Sequence, residues 1–219
     1  MKKVEVVAQI LNANDQIAAE NSALLQSRKI LAVNLMASPG AGKTSLILQT
    51  ARAMAGGARI GVIEGDIASR IDADKVAAAG IPVVQINTSG TCHLDAPMIR
   101  QALTSLPLDE IDVLFVENVG NLICPVEFRL GEGLRVMIAS VPEGDDKPFK
   151  YPGIFTAVDA VIINKMDLAR YVDIDLNALR EAIRGLNREA AVFEVSCRTG
   201  EGIADWADWL EARWRTFLS

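Results

Sequence analysis

The apolar run Ile30-Leu31-Ala32-Val33-Asn34-Leu35-Met36 leads directly into Ala37-Ser38-Pro39-Gly40-Ala41-Gly42-Lys43-Thr44, and a helix-like segment over 45–55 leads out. A strand, a loop of small residues and Gly-Lys-Thr at a helix start leave few folds open, because this is the arrangement that cradles phosphate. The backbone N–H groups of Gly40, Ala41, Gly42, Lys43, Thr44 and Ser45, with the positive end of the helix behind them, face a bound polyphosphate. In such loops the lysine, here Lys43, reaches the β- and γ-phosphates, and the hydroxyl, here Thr44, ligates Mg²⁺. The full pattern has Gly where this chain has Ala37. That position closes the turn without touching phosphate, so one methyl group is a small departure. The stretch predicts a nucleoside triphosphate site.

The rest of the chain alternates. Residues 59–64, 82–86, 111–117, 135–141, 158–164 and 191–195 read as strands, and helical spacing falls near 72–79, 94–105, 173–187 and 202–217. Alternation of this kind gives a parallel sheet covered on both faces, with ligands at the carboxyl ends of the strands. The predicted fold is α/β: a three-layer P-loop NTPase with a mostly parallel central sheet flanked by helices, plus an N-terminal helix. Residues 30–219 form the nucleotide-binding domain and 1–29 a helical segment. That segment has Val4, Val7, Ile10, Leu11, Ile17, Ala18, Leu24 and Leu25 at approximate helical spacing among Asn, Asp, Gln and Glu. It reads as a one-sided helix packed on the domain or on a partner. Trp206, Trp209, Leu210, Trp214 and Phe217 form an aromatic stripe expected to pack on the sheet.

Charge and cysteine usage bound the setting. A net charge of -6 with no clustered Lys/Arg face argues against nucleic acid or an anionic membrane as partner. No apolar run approaches the ~18 residues of a membrane span. Glu5 interrupts any leader-like segment, so a cytoplasmic protein is expected. Three cysteines are too few for a disulfide framework and read as reduced thiols.

Asn164-Lys165-Met166-Asp167 follows the sixth strand. The Asp167 carboxylate can accept from both N1–H and the 2-amino group of guanine, whereas adenine would leave it unsatisfied; discrimination of this type reaches ~10⁴-fold. Lys165 would lie along the base, and Asn164 would tie this loop to the phosphate loop. After the next strand, Ser196-Cys197-Arg198-Thr199-Gly200 resembles the S-A-K element whose backbone N–H contacts guanine O6, with Cys197 structural and the Arg198 plane able to stack on a base. The three elements in order predict GTP.

Two acidic strand ends complete a Mg²⁺ site: Glu64-Gly65-Asp66 and Glu117-Asn118-Val119-Gly120. Mg²⁺ keeps several waters, so Asp66 and Glu117 are expected to hold them. Gly120 is placed to offer its N–H to the γ-phosphate, which makes the following segment a switch. Asn121 stands where many GTPases place a water-orienting Gln. It is one methylene shorter, so slow hydrolysis is expected, with Asp66 or Asp72 positioning the water and Asp66 preferred. Between the fifth and sixth strands, a charged, proline-rich stretch over 141–152 reads as a surface loop. Its Lys147 and Lys150 are candidate cations for a partner subunit's γ-phosphate, which would make hydrolysis depend on dimerisation.

Thr91-Cys92-His93-Leu94-Asp95 follows the third strand, and Cys124 lies four residues past Gly120. The only His and two of three Cys therefore occupy strand-end loops, and thiolate with imidazole suits zinc or nickel. Three ligands per chain leave an open position or invite completion across a two-fold axis. Cys124 sits in the switch, so nucleotide state would change ligand geometry and hence metal affinity.

The elements N-x-x-x-S-P-G-A-G-K-T, E-G-D, T-C-H-L-D, E-N-V-G-N-L-I-C-P, E-G-D-D-K-P-F-K-Y-P and N-K-M-D-L together resemble the HypB type of GTPase, which inserts nickel during nickel–iron hydrogenase maturation. The likeness runs from about Asn34 to Gly202, and T-C-H-L and N-L-I-C-P are its specific parts. The resemblance implies a GTP-dependent homodimer of the class that includes signal-recognition GTPases, using Mg²⁺ with GTP and GDP. It also implies a nickel or zinc site made by Cys92, His93 and Cys124 near the dimer interface. The implied partners are a small zinc-containing nickel chaperone and the hydrogenase large subunit. Some members of that family carry an N-terminal Cys-rich motif or a His-rich tract. Residues 1–33 contain neither Cys nor His, so no high-capacity nickel store is expected. A urease-type nickel GTPase would need a Cys-Pro-His motif, absent here. A GTPase chaperone for cobalamin enzymes would leave Cys92, His93 and Cys124 without a purpose. A nickel buffer with vestigial GTPase activity would not need Lys43, Thr44, Asp66 and Glu117.

Overall fold

The computed structural model describes residues 6–67 and 69–219; Val4 of the predicted apolar stripe, the 1–5 stretch and the Val7 side chain lie outside this description. Seven strands form one sheet: β1 Leu31–Ala37, β2 Ile60–Asp66, β3 Val83–Asn87, β4 Val113–Glu117, β5 Leu134–Ser140, β6 Ala160–Asn164 and β7 Ala191–Glu194. Their order is β3-β2-β4-β1-β5-β6-β7. Every pairing is parallel, so the sheet carries no antiparallel strand among the described residues. The helices are α1 Val6–Ser27, α2 Lys43–Ala53, α3 Ile71–Ala78, α4 Ala96–Leu103, α8 Leu176–Leu186 and α9 Ile203–Phe217, with short turns α5 Cys124–Glu127, α6 Lys147–Lys150 and α7 Pro152–Thr156 between them.

Strand β1 is buried along its whole length, as a central parallel strand must be. Its residues alternate between faces. Leu31, Val33 and Leu35 join Leu46 and Ile47 of α2 and Trp206 and Leu210 of α9. Ala32 joins Leu25 of α1 and Ile99 and Leu103 of α4, and Met36 joins Phe155 and Ile183 on that second side. The aromatic stripe of α9 packs inward as expected. Trp206 is fully buried and donates from Nε1 to the Thr50 hydroxyl at 2.8 Å, while Trp209, Trp214 and Phe217 close over the same core. Ala37, the departure from the usual loop pattern, is the last residue of β1 and its methyl lies in this core.

The stretch over 141–152 differs from the plain surface loop that its charge suggests. Pro148 and Pro152 each stand at the start of a one-turn helix, where the missing N–H costs nothing. Pro148 is buried, which pins the segment to the domain.

Helix α1 packs on the domain, against α4. Ala18, Asn21 and Leu25 are buried along one side. The Asn21 amide donates to the carbonyls of Ala96 (2.9 Å) and Leu130 (3.0 Å), and Asn14 donates to Arg129 O and accepts from Ala96 N. Glu20 and Arg100 pair at the edge. A helix whose buried side carries two asparagines is specified for one seat, because only that seat satisfies both amides. Asn21→Ala leaves two buried carbonyls without their donor. The expected loss is about 1–3 kcal/mol, read as a lowered urea midpoint with an unchanged m-value.

Candidate functional site

At the carboxyl ends of β1, β2 and β4 lies a cavity of about 350 Å³ lined by Gly40, Lys43, Glu64, Asp66, Glu117 and Gly120, among others. The loop from β1 turns sharply into α2. Gly42 has φ +105°, and any β-carbon there would collide with the Asn164 side chain, so glycine is required twice over. Gly120 has no room either: a β-carbon would sit 2.8 Å from Pro39 Cγ and 3.0 Å from Pro39 N. The segment after β4 therefore presses backbone to backbone on the phosphate loop.

The carboxylates are the electrostatic centre of the cavity. Parallel register places Glu64 of β2 beside Glu117 of β4, and both are almost wholly buried. Glu117 accepts from the Thr44 hydroxyl at 2.9 Å. Neither the second oxygen of Glu64 nor that of Glu117 has a hydrogen-bond partner among the described residues. Burial, then the neighbouring charges of Glu117, Asp66 and Asp72, push the Glu64 carboxyl up to about 8, with Lys43 opposing. Burial also pushes Glu117 up to about 7, against the pull of Lys43 and the Thr44 hydroxyl. Two orphaned hard oxygens beside a hydroxyl fit a hydrated divalent cation such as Mg²⁺. Asp66 accepts from Ser69 N at 2.6 Å, and Asp72 pairs with Lys75.

The loops after β6 and β7 are lashed together and to the phosphate loop. Asn164 donates to Ala41 O at 2.9 Å and accepts from Lys165 N and Cys197 N. Lys165, in the left-handed region at φ +65°, sends its ammonium to Gly40 O at 2.7 Å. Ser196 donates its hydroxyl proton to Asp167 at 2.6 Å, which fixes the carboxylate. Cys197 is half-buried, with its carbonyl held by Gln49. Its thiol is pushed up to about 11, chiefly by burial, which suits a structural residue. Ser45 and Arg198 are exposed at the rim.

Lys147 lies close to its own phosphate loop: its ammonium is 3.3 Å from Glu143 and 3.5 Å from the Ser38 hydroxyl, over the Tyr151 ring. Lys150 is exposed and pairs with Asp146.

On the same edge of the sheet, ligand atoms of Cys92, His93 and Cys124 lie within 4.8 Å of one another. Cys92 and Cys124 are both free thiols. Cys92 Sγ is 3.7 Å from His93 Nδ1. The imidazole stacks on Phe128 at a centroid distance of 3.9 Å, which sets its plane. Burial holds the His93 pKa below its ordinary value, so the ring is neutral and its lone pair available near pH 7. The Cys92 thiol is held up, first by its hydrogen bond with Cys124 and then by burial. Two sulfurs and one imidazole form a donor set for nickel or zinc with a position to spare. Asn121 turns its amide toward Cys92 O (3.4 Å) and accepts from Ile123 N, so it braces the cysteine loop.

Residues 31–194 match the model of the CobW/HypB/UreG nucleotide-binding domain. The hydrogenase maturation factor HypB of Azotobacter vinelandii is 44% identical over 217 residues, covering 99% of this chain and 72% of the relative. HypB of Escherichia coli K12 is 42% identical over 212 residues, covering 97% of this chain and 73% of the relative. The chain belongs to the HypB family of hydrogenase maturation factors. A crystal structure of HypB from Helicobacter pylori in complex with nickel superposes with a TM-score of 0.89, at 36% identity, over 93% of this chain and 96% of that one. Membership makes this a P-loop GTPase-family protein with a role in hydrogenase maturation. No helix among the described residues is long and apolar enough to cross a membrane.

Sequence reasoning passed over Glu64 as a cavity carboxylate. Its signal is spacing: residues two apart on a strand share a face, so Asp66 brings Glu64 with it. Phe128 and Asn118 were also missed, because stacking and buried amide contacts leave no periodic mark.

The raised carboxylates give a pH dependence with a definite sign. In the unfolded chain both glutamates ionise near 4.5, and in the nucleotide-free folded protein near 8 and 7. The folded state thus holds protons that the unfolded state releases, so stability falls as pH rises through this window. The slope approaches about 1.4 kcal/mol per pH unit for each group. Thermal melts of nucleotide-free, Mg²⁺-free protein from pH 5 to 8 should show a falling Tm, and Glu64→Gln should flatten the fall.

Proposed function

We propose that this chain is a GTP-hydrolysing metallochaperone that couples GTP binding, hydrolysis and dimerisation to nickel delivery in nickel–iron hydrogenase maturation. One observation carries the reading. Cys124, which completes the Cys92–His93 pair within 4.8 Å, stands four residues beyond Gly120, whose backbone closes on the phosphate loop. A metal ligand and a phosphate sensor thus share one short segment.

In this reading the N–H groups from Gly40 to Ser45 bind the phosphates at the start of α2, and Lys43 neutralises the β- and γ-phosphates. Thr44, Glu117 and Asp66, joined by Glu64, would hold Mg²⁺ and its waters, and the bound ion would supply neutralisation of charge at the γ-phosphate. Asp167 reads the guanine, with Asn164, Lys165 and the Ser196-Cys197-Arg198 loop around it. Gly120 N–H senses the γ-phosphate, and Asp66 orients the attacking water. Lys147, drawn away from Glu143, supplies its cation across a two-fold axis to a partner subunit. The domain of 30–219 does this work, with helix α1 docked on it. A small zinc-containing nickel chaperone delivers or receives the ion, the hydrogenase large subunit is the destination, and the setting is the cytoplasm.

Two measurements test the reading. Nickel titration with GDP and with a non-hydrolysable GTP analogue should give affinities differing by about tenfold or more, a difference that disappears in Cys124→Ala. Equal affinities in wild type would remove the coupling. Asp167→Ala should weaken GTP relative to ATP by about 100-fold or more, measured by competition; unchanged selectivity would remove the base assignment.

A further inference from the structure

The cysteine-histidine arm of the metal site has its own connection to the phosphate cavity. It runs through Asn118 and does not involve Cys124. Asn118 is the residue after β4 and is completely buried. Its backbone N–H still pairs with Leu35 O of β1 at 3.0 Å. Its side-chain oxygen accepts from Val119 N (3.0 Å), next to Gly120, and from Leu94 N (3.1 Å), next to His93. Its side-chain nitrogen donates to Asn34 of β1 at 3.1 Å. Asn34 is itself fully buried, and its own Nδ2 has no partner among the described residues.

Leu94 is gripped from a second direction. Its side chain fills the space beside Gly65, where a β-carbon would come within 2.7 Å of Leu94 Cδ1. Gly65 lies between Glu64 and Asp66 on β2. The residue after His93 is therefore seated on both acidic strand ends at once, by hydrogen bond on β4 and by close packing on β2. A buried amide holding three elements is costly to leave half-satisfied, so its contacts tend to shift together.

Resting on the reading of a nucleotide-coupled nickel site, we propose that Asn118 is the positioning residue that ties Cys92 and His93 to the state of the phosphate cavity. When the segment at Val119 and Gly120 shifts with the terminal phosphate, the shared oxygen of Asn118 carries Leu94, and with it His93 and Cys92. Cys124 moves directly with the segment that begins at Val119 and Gly120, so one displacement at the cavity reaches the two halves of the metal site through different contacts.

Two experiments test this. In the first, nickel affinity is measured with GDP and with a non-hydrolysable GTP analogue for wild type, Asn118→Ala and Asn118→Asp. Alanine removes the shared acceptor. Aspartate keeps it, and Asn34 can turn its unpartnered nitrogen to the second oxygen. The expected result is a nucleotide ratio of about tenfold or more in wild type, near one in Asn118→Ala, and largely restored in Asn118→Asp, with GDP affinity within about twofold throughout. A merely structural residue would lower stability and GDP affinity while leaving the ratio intact, and that result overturns the proposal. The second experiment uses the wild-type chain without nickel, so it does not depend on a variant folding. Hydrogen exchange of the Leu94 amide should differ by about tenfold or more between the two nucleotides. Equal protection overturns the proposal even where nickel affinity does depend on nucleotide. Loss of that dependence in wild type would sink the underlying coupling instead.

Discussion

Two buried carboxylates placed side by side by strand register set the terms for the whole ligand edge. Glu64 and Glu117 face one another across β2 and β4, each with an oxygen lacking a partner among the described residues. Such a pair is costly in a dry setting, and burial with the neighbouring charges pushes the carboxyls up, Glu64 to about 8 and Glu117 to about 7. Thr44 and Lys43 are aimed at the same place from α2. The fully buried β1 and its neighbours make this possible, because only a well-packed parallel sheet holds three strand ends in fixed register against that repulsion.

Around this centre the loops are joined by side-chain amides. Asn164 closes the loop after β6 onto Ala41, Asn118 joins Asn34 of β1 and the end of β4 to Leu94, and Asn121 braces Cys92. Asn14 and Asn21 do the same for α1 at a distance from the cavity. An amide both donates and accepts, so one buried residue can satisfy two loops whose backbone groups would otherwise lack partners. Each such joint is two-valued: it is made or it is broken, with little between. In the proposed cycle that property turns a small displacement at the terminal phosphate into a change in metal-ligand geometry.

Much of this was readable from residues alone. The order of strands and helices follows from periodicity, and the loops after β1, β6 and β7 stand out by residue types at fixed spacing after each strand. Cys92, His93 and Cys124 all fall in strand-end loops, and the parallel sheet brings those loops together. The 141–152 stretch was less legible. Its charges suggested a free loop, yet two prolines start short helices and the burial of Pro148 pins it down, leaving Lys147 against its own phosphate loop. The docking of α1 was also open, since a one-sided helix states what it buries and not against which surface.

The sequence by itself determined the parallel α/β architecture, the phosphate-binding turn and the chemical types available at the ligand edge, because period and motif are local properties of a chain. Only the tertiary structure decided that Glu64 and Glu117 are neighbours, that Asn118 holds Leu94, and that α1 sits on α4. These depend on the register and crossing order of segments far apart in sequence, which are set by packing and by the need to satisfy every buried amide together.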